Sequence, residues 1–293
     1  MAKKVEAGTG IWSLFKSPPL NGYLNMALDE LLLEEAKKGA RPPTLRFYQW
    51  EGDWISFGYF QTPQRAFNVP AAAELGVRAV RRITGGRAVL HSEDLTYALV
   101  AGDAAKEGLG SSLKETYRLI GSALTSGFTR LGLPVAFSFK EKTIERPAAE
   151  GATACFLTFS DYEISSGGKK LVGSAQRRET ASFLQHGSIP LTNRNRELAG
   201  RVLSRRMDAN FRSRYATVEE VGGKIPVERL SAALKEGFAG VFGVEFKEEE
   251  CSPEQWAAVR NRAQKYASDG WNERKASAGQ TAHREPALGK VRL

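Results

Sequence analysis

The run Arg81-Arg82-Ile83-Thr84-Gly85-Gly86-Arg87-Ala88-Val89-Leu90-His91 constrains this chain more than any other segment. Paired glycines accept backbone angles closed to other residues and let a ligand come close to the main chain. Arginines and bare amides beside such a turn suit a phosphate, a carboxylate or a developing oxyanion. The flanking stretches, Val77 to Ile83 and Ala88 to Val100, predict strands on either side of it. Taken as chemistry alone the turn has two readings. Its glycines either present amides to a ligand or merely close a hairpin.

The rest of the chain reads as strands in runs with helices around them, an α+β class. Leu24, Ala27, Leu28, Leu31, Leu32 and Glu35 recur at helical spacing and predict a helix from Asn21 to Lys38, stopped by Gly39. After the Pro42-Pro43 break, Leu45 to Trp50 and Trp54 to Phe60 read as strands joined into a hairpin by Glu51-Gly52-Asp53. Ala71 to Leu75 is a short helix, and Ser112-Leu113-Lys114-Glu115 is a capping box opening a helix to about Leu131. Three strands are expected at Phe156 to Ser165, Lys170 to Arg178 and Phe183 to Leu191, the first two connected by Gly167-Gly168. Helices follow, at Val227 to Phe242 and after the cap Ser252-Pro253-Glu254-Gln255. From Trp271 the residues are small or charged, so 271–293 reads as a disordered basic tail behind one catalytic domain, 1–270.

Composition removes several function classes. No apolar run approaches the ~18 residues of a membrane span, and no apolar stretch follows the lysines of Met1 to Gly8. Neither a membrane segment nor a secretory signal is expected, which points to the cytoplasm. The two cysteines, Cys155 and Cys251, and the three histidines, His91, His186 and His283, show no C-x-x-C or H-x-x-x-H spacing, so no metal site is expected. The net charge of +9 implies an acidic partner. Lysines and arginines are scattered and not interleaved with aromatics, which argues against nucleic acid.

Further segments join the Gly-Gly turn in one pattern. R-R-x-x-G-G-x-A-V-x-H-x-x-x-L-x-Y, then Gly168-Lys169-Lys170-Leu171-Val172-Gly173-Ser174-Ala175, then Leu184-Gln185-His186-Gly187-Ser188-Ile189 follow each other along the chain. Asn25 to Glu30 and the Gly58…Gln61 pair agree as well. Over about residues 12 to 205 this resembles the lipoate–protein ligase and octanoyltransferase family. The resemblance implies a biotin/lipoate ligase-like fold, related to class II aminoacyl-tRNA synthetases, with mostly antiparallel sheet flanked by helices. It places Lys170 at the acyl site and implies substrate contacts from Arg81, Gly85, Gly86, Arg87, His91, Gly173, Ser174, Ala175 and His186.

Two chemistries exist in such a family. ATP-dependent ligases typically show three glycines at the turn, whereas here Arg87 takes the third place. The sequence resembles more closely the Gram-positive octanoyltransferases, which show G-G-R-A-V-L-H and a nucleophilic cysteine fifteen positions before the lysine, the spacing of Cys155 and Lys170. A thioester donor is already activated and needs only an exchangeable nucleophile, which a thiolate provides. A free thiol of pKa ~8.5 is mostly protonated at neutral pH, and a nearby ammonium such as Lys170 lowers it. The resemblance therefore implies octanoyl-acyl carrier protein as donor, a lysine of a lipoyl-carrying protein (the glycine-cleavage H protein above all) as acceptor, no cofactor, and a monomer. An ATP-dependent ligase and an amidotransferase between lipoyl proteins remain alternatives. Among the residues, His186 could instead pair with Cys155, His91 reads as a structural or acyl-site residue, and one of Arg81 and Arg82 should face away from the site because strand neighbours point oppositely. Lys169 should point away for the same reason. Cys251, behind Glu248-Glu249-Glu250, reads as inert.

Overall fold

The computed structural model describes residues 10–139, 162–203 and 214–274. Its strands are β1 (Ile11–Phe15), β2 (Thr44–Tyr48), β3 (Trp54–Phe57), β4 (Arg78–Arg81), β5 (Val89–His91), β6 (Asp94–Ala101), β7 (Ala136–Phe139), β8 (Tyr162–Ser166), β9 (Lys169–Lys170), β10 (Gly173–Glu179), β11 (Ser182–Pro190) and β12 (Glu245–Glu249). The helices are α1 (Gly22–Lys37), α2 (Pro63–Ala66), α3 (Val69–Glu74), α4 (Leu113–Arg130), α5 (Asn193–Val202), α6 (Val218–Gly222), α7 (Val227–Phe242), α8 (Pro253–Ala267) and α9 (Asp269–Asn272).

Every residue of β6 and of β11 is buried. Strands covered on both faces belong in the middle of a sheet, and both are there: the six-stranded order is β10-β11-β6-β2-β1-β12. β10, β11, β6 and β2 pair antiparallel, while β1 pairs parallel with β2 and β12. One face of this sheet carries α1, whose Met26, Leu28, Leu32 and Ala36 enter a core shared with Trp50 and Trp54. The other face carries α4 and α7, packed with Leu99, Phe183 and Ile189. These two helices touch through glycine, since a methyl at Gly237 would lie 2.3 Å from the Ala123 carbonyl oxygen. Two smaller sheets, β4-β3-β5 and β7-β8-β9, complete the fold.

Helix bounds follow the local signals closely. α1 runs one residue inside the expected limits, capped by the Asn21 side chain on the Leu24 amide. α7 has the expected ends, and the reciprocal capping box of α8 forms as read. At α4 only half of the box forms: Ser112 caps the Glu115 amide, but the Glu115 carboxylate turns to Ser111.

Strand pairing departs from expectation at several places, among them the strand expected over Lys170 to Arg178, which breaks at Leu171-Val172 into β9 and β10 of different sheets. β2 and β3 make no hairpin, because β2 pairs with β1 and β6 while β3 is the central strand of a different sheet. The strand expected from Ala88 to Val100 is broken at Ser92-Glu93, where Glu93 takes a left-handed φ of 52° and the chain passes from β5 to β6. β4 and β5 do not pair with each other but flank β3, so Gly85-Gly86 closes no hairpin. Trp271 to Arg274, read as the start of the tail, belong to the described fold. α9 includes Trp271 and Asn272, and contacts continue through Arg274.

Candidate active site

The cavity lies where the Gly-Gly loop crosses from β4 to β5 over the edge of the large sheet. Met26, Trp50 and Val89 form its apolar lining. Gly173, Ser174 and Ala175 of β10 form one wall, and Arg82, His91 and His186 supply the polar lining. The loop is pressed into place: a methyl at Gly58 would sit 2.1 Å from the Gly86 oxygen, and one at Gly86 would lie 3.4 Å from Ala175 Cβ. Gly86 has φ +87°, which L side chains rarely adopt, whereas Gly85 borders open space.

Arg82 organises this corner. Its Nε donates to Thr84 Oγ1 (3.0 Å), Nη1 to the Ser56 oxygen (2.9 Å), and Nη2 to the carbonyls of Gly85 (2.7 Å) and Arg87 (2.8 Å). A buried guanidinium thus fixes both ends of the Gly-Gly-Arg turn with charge-assisted bonds. The hydrogen-bonded chain continues through Thr84 Oγ1 to His186 Nε2 (2.7 Å) and from His186 Nδ1 to Asp29 Oδ2 (3.2 Å). Asp29 also accepts from Arg46 (2.7 Å) and Tyr48 (2.9 Å). Burial opposes ionisation of Asp29, but the His186 hydrogen bond and the Arg46 charge prevail and hold its carboxyl below the usual range. Burial pushes His186 the other way, below an ordinary histidine, despite Asp29. A neutral imidazole then donates from Nδ1 to Asp29 and accepts the Thr84 hydroxyl at Nε2, so both nitrogens are occupied.

His91 is held as firmly. Its Nδ1 lies 2.8 Å from Asp94 Oδ2, its Nε2 2.8 Å from Ser56 Oγ, and its ring stacks on Trp50 at 3.9 Å. Asp94 Oδ2 accepts further bonds from Ser188 (2.6 Å) and Thr96 (3.1 Å). Ser56, His91 and Asp94 stand in the order of a nucleophile, base and orienter. Yet the Ser56 hydroxyl also meets Arg82 Nη1 at 3.3 Å, so it is engaged on two sides.

The expected site residues separate clearly. His91, His186, Gly173, Ser174 and Ala175 line the cavity, Gly86 lies against Ala175, and Arg87 contributes its carbonyl to Arg82. Arg81 is a correction. Its side chain is fully buried and donates to the carbonyls of Tyr59, Gln61, Trp271, Asn272 and Arg274 at 2.5–3.0 Å. Backbone carbonyls take all its nitrogens, which leaves none for a substrate. Lys170 is buried on β9, where its carbonyl accepts from Ala216, while Lys169 turns outward to pair with Glu220. Cys155 lies outside the described residues. Burial raises the Cys251 thiol to about 11, the nearby Glu35 contributing less, which fits an inert residue. Among the described residues no group of three His, Cys, Asp or Glu could hold a metal ion, and no helix is long and apolar enough to cross a membrane.

Sequence reading missed Asp29, Arg46, Thr84, Ser56 and Asp94. One signal was present: Asn25 and Asp29 are polar residues one turn apart on an otherwise apolar helix face, and both are fully buried.

Comparison with known proteins gives a consistent setting. The family described as lipoyl protein ligase A/B catalytic domain matches residues 21–239. Octanoyltransferase LipM of Exiguobacterium sibiricum is 34% identical over 270 residues, which span 89% of this chain and 98% of the relative. Octanoyltransferase LipM of Kyrpidia tusciae is 36% identical over 90% of this chain and 99% of its own. Among solved structures, the bipartite lipoate protein ligase of Thermoplasma acidophilum, studied with its E2 lipoyl domain, superposes with TM-score 0.72 at 23% identity, over 90% of this chain and 96% of that one. That last likeness concerns the fold.

Proposed function

The chain belongs to the lipoyl protein ligase A/B catalytic-domain family and is an acyltransferase for octanoyl groups in lipoate biosynthesis; we propose that it works through a Cys155 thioester, with a carrier-protein donor and a lipoyl-protein acceptor. One observation carries the reading: an apolar cavity walled by the Gly173-Ser174-Ala175 strand and closed by the Arg82-braced Gly-Gly loop. Its apolar lining suits an acyl chain with its carbonyl toward the polar wall.

In this mechanism the Cys155 thiolate attacks the carbonyl carbon of the donor thioester. The carbon–sulfur bond to the donor thiol breaks, and the octanoyl group rests on Cys155 as a new thioester. A lysine amine of the acceptor then attacks that carbonyl, the Cys155 thiolate leaves, and an amide remains. The proton lost by the amine balances the donor thiolate released in the first step. Lys170 favours ionisation of Cys155 by its positive charge, and each pKa unit is worth about 1.4 kcal/mol. His91 and His186, tied to Asp94 and Asp29, hold the polar wall in place.

The experiment is direct. Purified protein mixed with octanoyl-acyl carrier protein and a lipoyl acceptor, without ATP, should produce acylated acceptor. A strict requirement for ATP with free octanoate would overturn the thioester mechanism in favour of an adenylate.

A further inference from the structure

Lys170 sits in β9, a strand of two residues, and a ladder that short holds little by itself. On one side β9 pairs with β8, Ser165 opposite Lys170, and Leu171 donates its amide to the Ile164 oxygen at 2.9 Å. On the other side Tyr215 bridges to Lys170, and the Ala216 amide donates to the Lys170 oxygen at 2.9 Å. The Tyr215 segment therefore grips the lysine's backbone. The Tyr215 ring is fully buried in the core shared by β3, β5 and α5. Phenylalanine would fill that place at no polar cost, yet the core holds a hydroxyl. It donates to Oδ1 of Asn195, which is also fully buried, and Asn195 Nδ2 donates to the Ser92 oxygen at 2.5 Å. A carbonyl only accepts, so every direction in this chain of bonds is fixed. Ser92 lies between His91 and Glu93, where the left-handed backbone turns β5 into β6 and brings the chain to Asp94.

We propose that Tyr215 is a positioning residue for Lys170. Its hydroxyl, through Asn195, ties β9 to the Ser92 turn, so the strand that carries Lys170 and the wall that carries His91 and Asp94 keep one fixed spacing. A buried polar chain with its bonds made rigidifies what it joins. The inference rests on the reading of Lys170 as the charge that serves the acyl site.

Tyr215→Phe removes the hydroxyl and leaves the ring. Octanoyl transfer should then lose about tenfold in kcat through misplacement of the lysine, while KM for the donor stays within about twofold. A second readout follows Lys170 without turnover. Its acetylation by an N-hydroxysuccinimide ester, measured by peptide mass mapping against exposed Lys38, should speed up roughly fivefold as β9 opens more often. Tyr215→Phe combined with Asn195→Leu fills the polar pair with apolar groups, which a core accepts more readily than one orphaned partner. That double variant should fold and show the same two changes. Loss of melting temperature alone, with kcat and the labelling ratio as in wild type, would reduce Tyr215 to packing and overturn the proposal. A fall in kcat without faster labelling would overturn it too, because the effect would then reach the site by another route. Normal turnover in Lys170→Ala would remove the role read for the lysine, and the labelling ratio would still decide whether Tyr215 holds it.

Discussion

Arg81 and Arg82 are neighbours of one residue type, both buried, yet they build opposite kinds of structure. Arg81 is caged by carbonyl oxygens, five of them within 3.0 Å: two from the Tyr59–Gln61 turn and three from Trp271, Asn272 and Arg274. Trp271 Nε1 returns a bond to the Arg81 oxygen at 2.8 Å, and Asn272 Oδ1 accepts the Arg81 amide. Burial and the nearby Arg274 charge lower its pKa to about 10, so it stays protonated at neutral pH. Arg82, on the other face, shares its donors between carbonyls of the Gly-Gly turn and hydroxyls at the cavity wall. One arginine fastens the Trp271–Arg274 segment to β4; the other shapes the site. Position relative to the pleat, and not residue type, separates the two roles.

Four measurements can break or sharpen that contrast. Arg81→Met should have the largest effect on stability, about 3–5 kcal/mol, because five charge-assisted bonds vanish and buried carbonyls are orphaned. Activity per folded molecule should stay within about threefold; a collapse of specific activity would move Arg81 into the site. Arg82→Lys should do the reverse. An ammonium cannot span Thr84, Ser56, Gly85 and Arg87 at once, and a displaced loop should slow transfer by about a hundredfold, with a smaller change in melting temperature. Gly86→Ala comes third. The added methyl meets Arg82 Nη2 at 3.0 Å in a left-handed backbone, so transfer should drop about tenfold, whereas Gly85→Ala, in open space, should melt within about 0.5 kcal/mol of wild type.

The smallest effect is on pH dependence. His186 has a folded pKa below its unfolded one because burial disfavours the cation. Below the unfolded value of 6.5 the unfolded chain therefore binds more protons, and stability falls as pH drops from 7 toward 5. His186→Gln should flatten the slope of unfolding free energy over that window by up to about 1.4 kcal/mol per pH unit. Asp29, with its pKa already lowered from 3.8, contributes stability that is lost only at still lower pH and does not confuse the reading. An unchanged slope in the variant would show that the imidazole is not held neutral.

Features that sit within one turn of the chain were readable in the sequence. The Asn21 and Ser252 caps, the ends of α7 and the Gly167-Gly168 hairpin are of that kind. Strand partners were not, since Leu45 to Trp50 and Trp54 to Phe60 look alike in composition yet enter different sheets. The site divides in the same way. His91, His186 and the Gly173-Ser174-Ala175 strand, which line the cavity, lie inside segments recognisable in the sequence. Asp29, Arg46 and Thr84 were not picked out, because each acts through partners far along the chain: Asp29 meets Arg46 17 positions away and His186 157 away. Arg81 was misassigned for a related reason. Trp271 to Arg274, the residues that occupy it, lie in a stretch whose composition suggested a tail.

The central claim is acyl transfer through Cys155, and intact mass spectrometry tests it most directly. Incubated with octanoyl-acyl carrier protein and no ATP, the wild-type chain should gain one octanoyl group that hydroxylamine removes and that a lipoyl acceptor discharges. Cys155→Ala should gain none and transfer none. An alanine variant that still acylates the acceptor, or a wild-type chain that stays unmodified until ATP is added, would contradict the account.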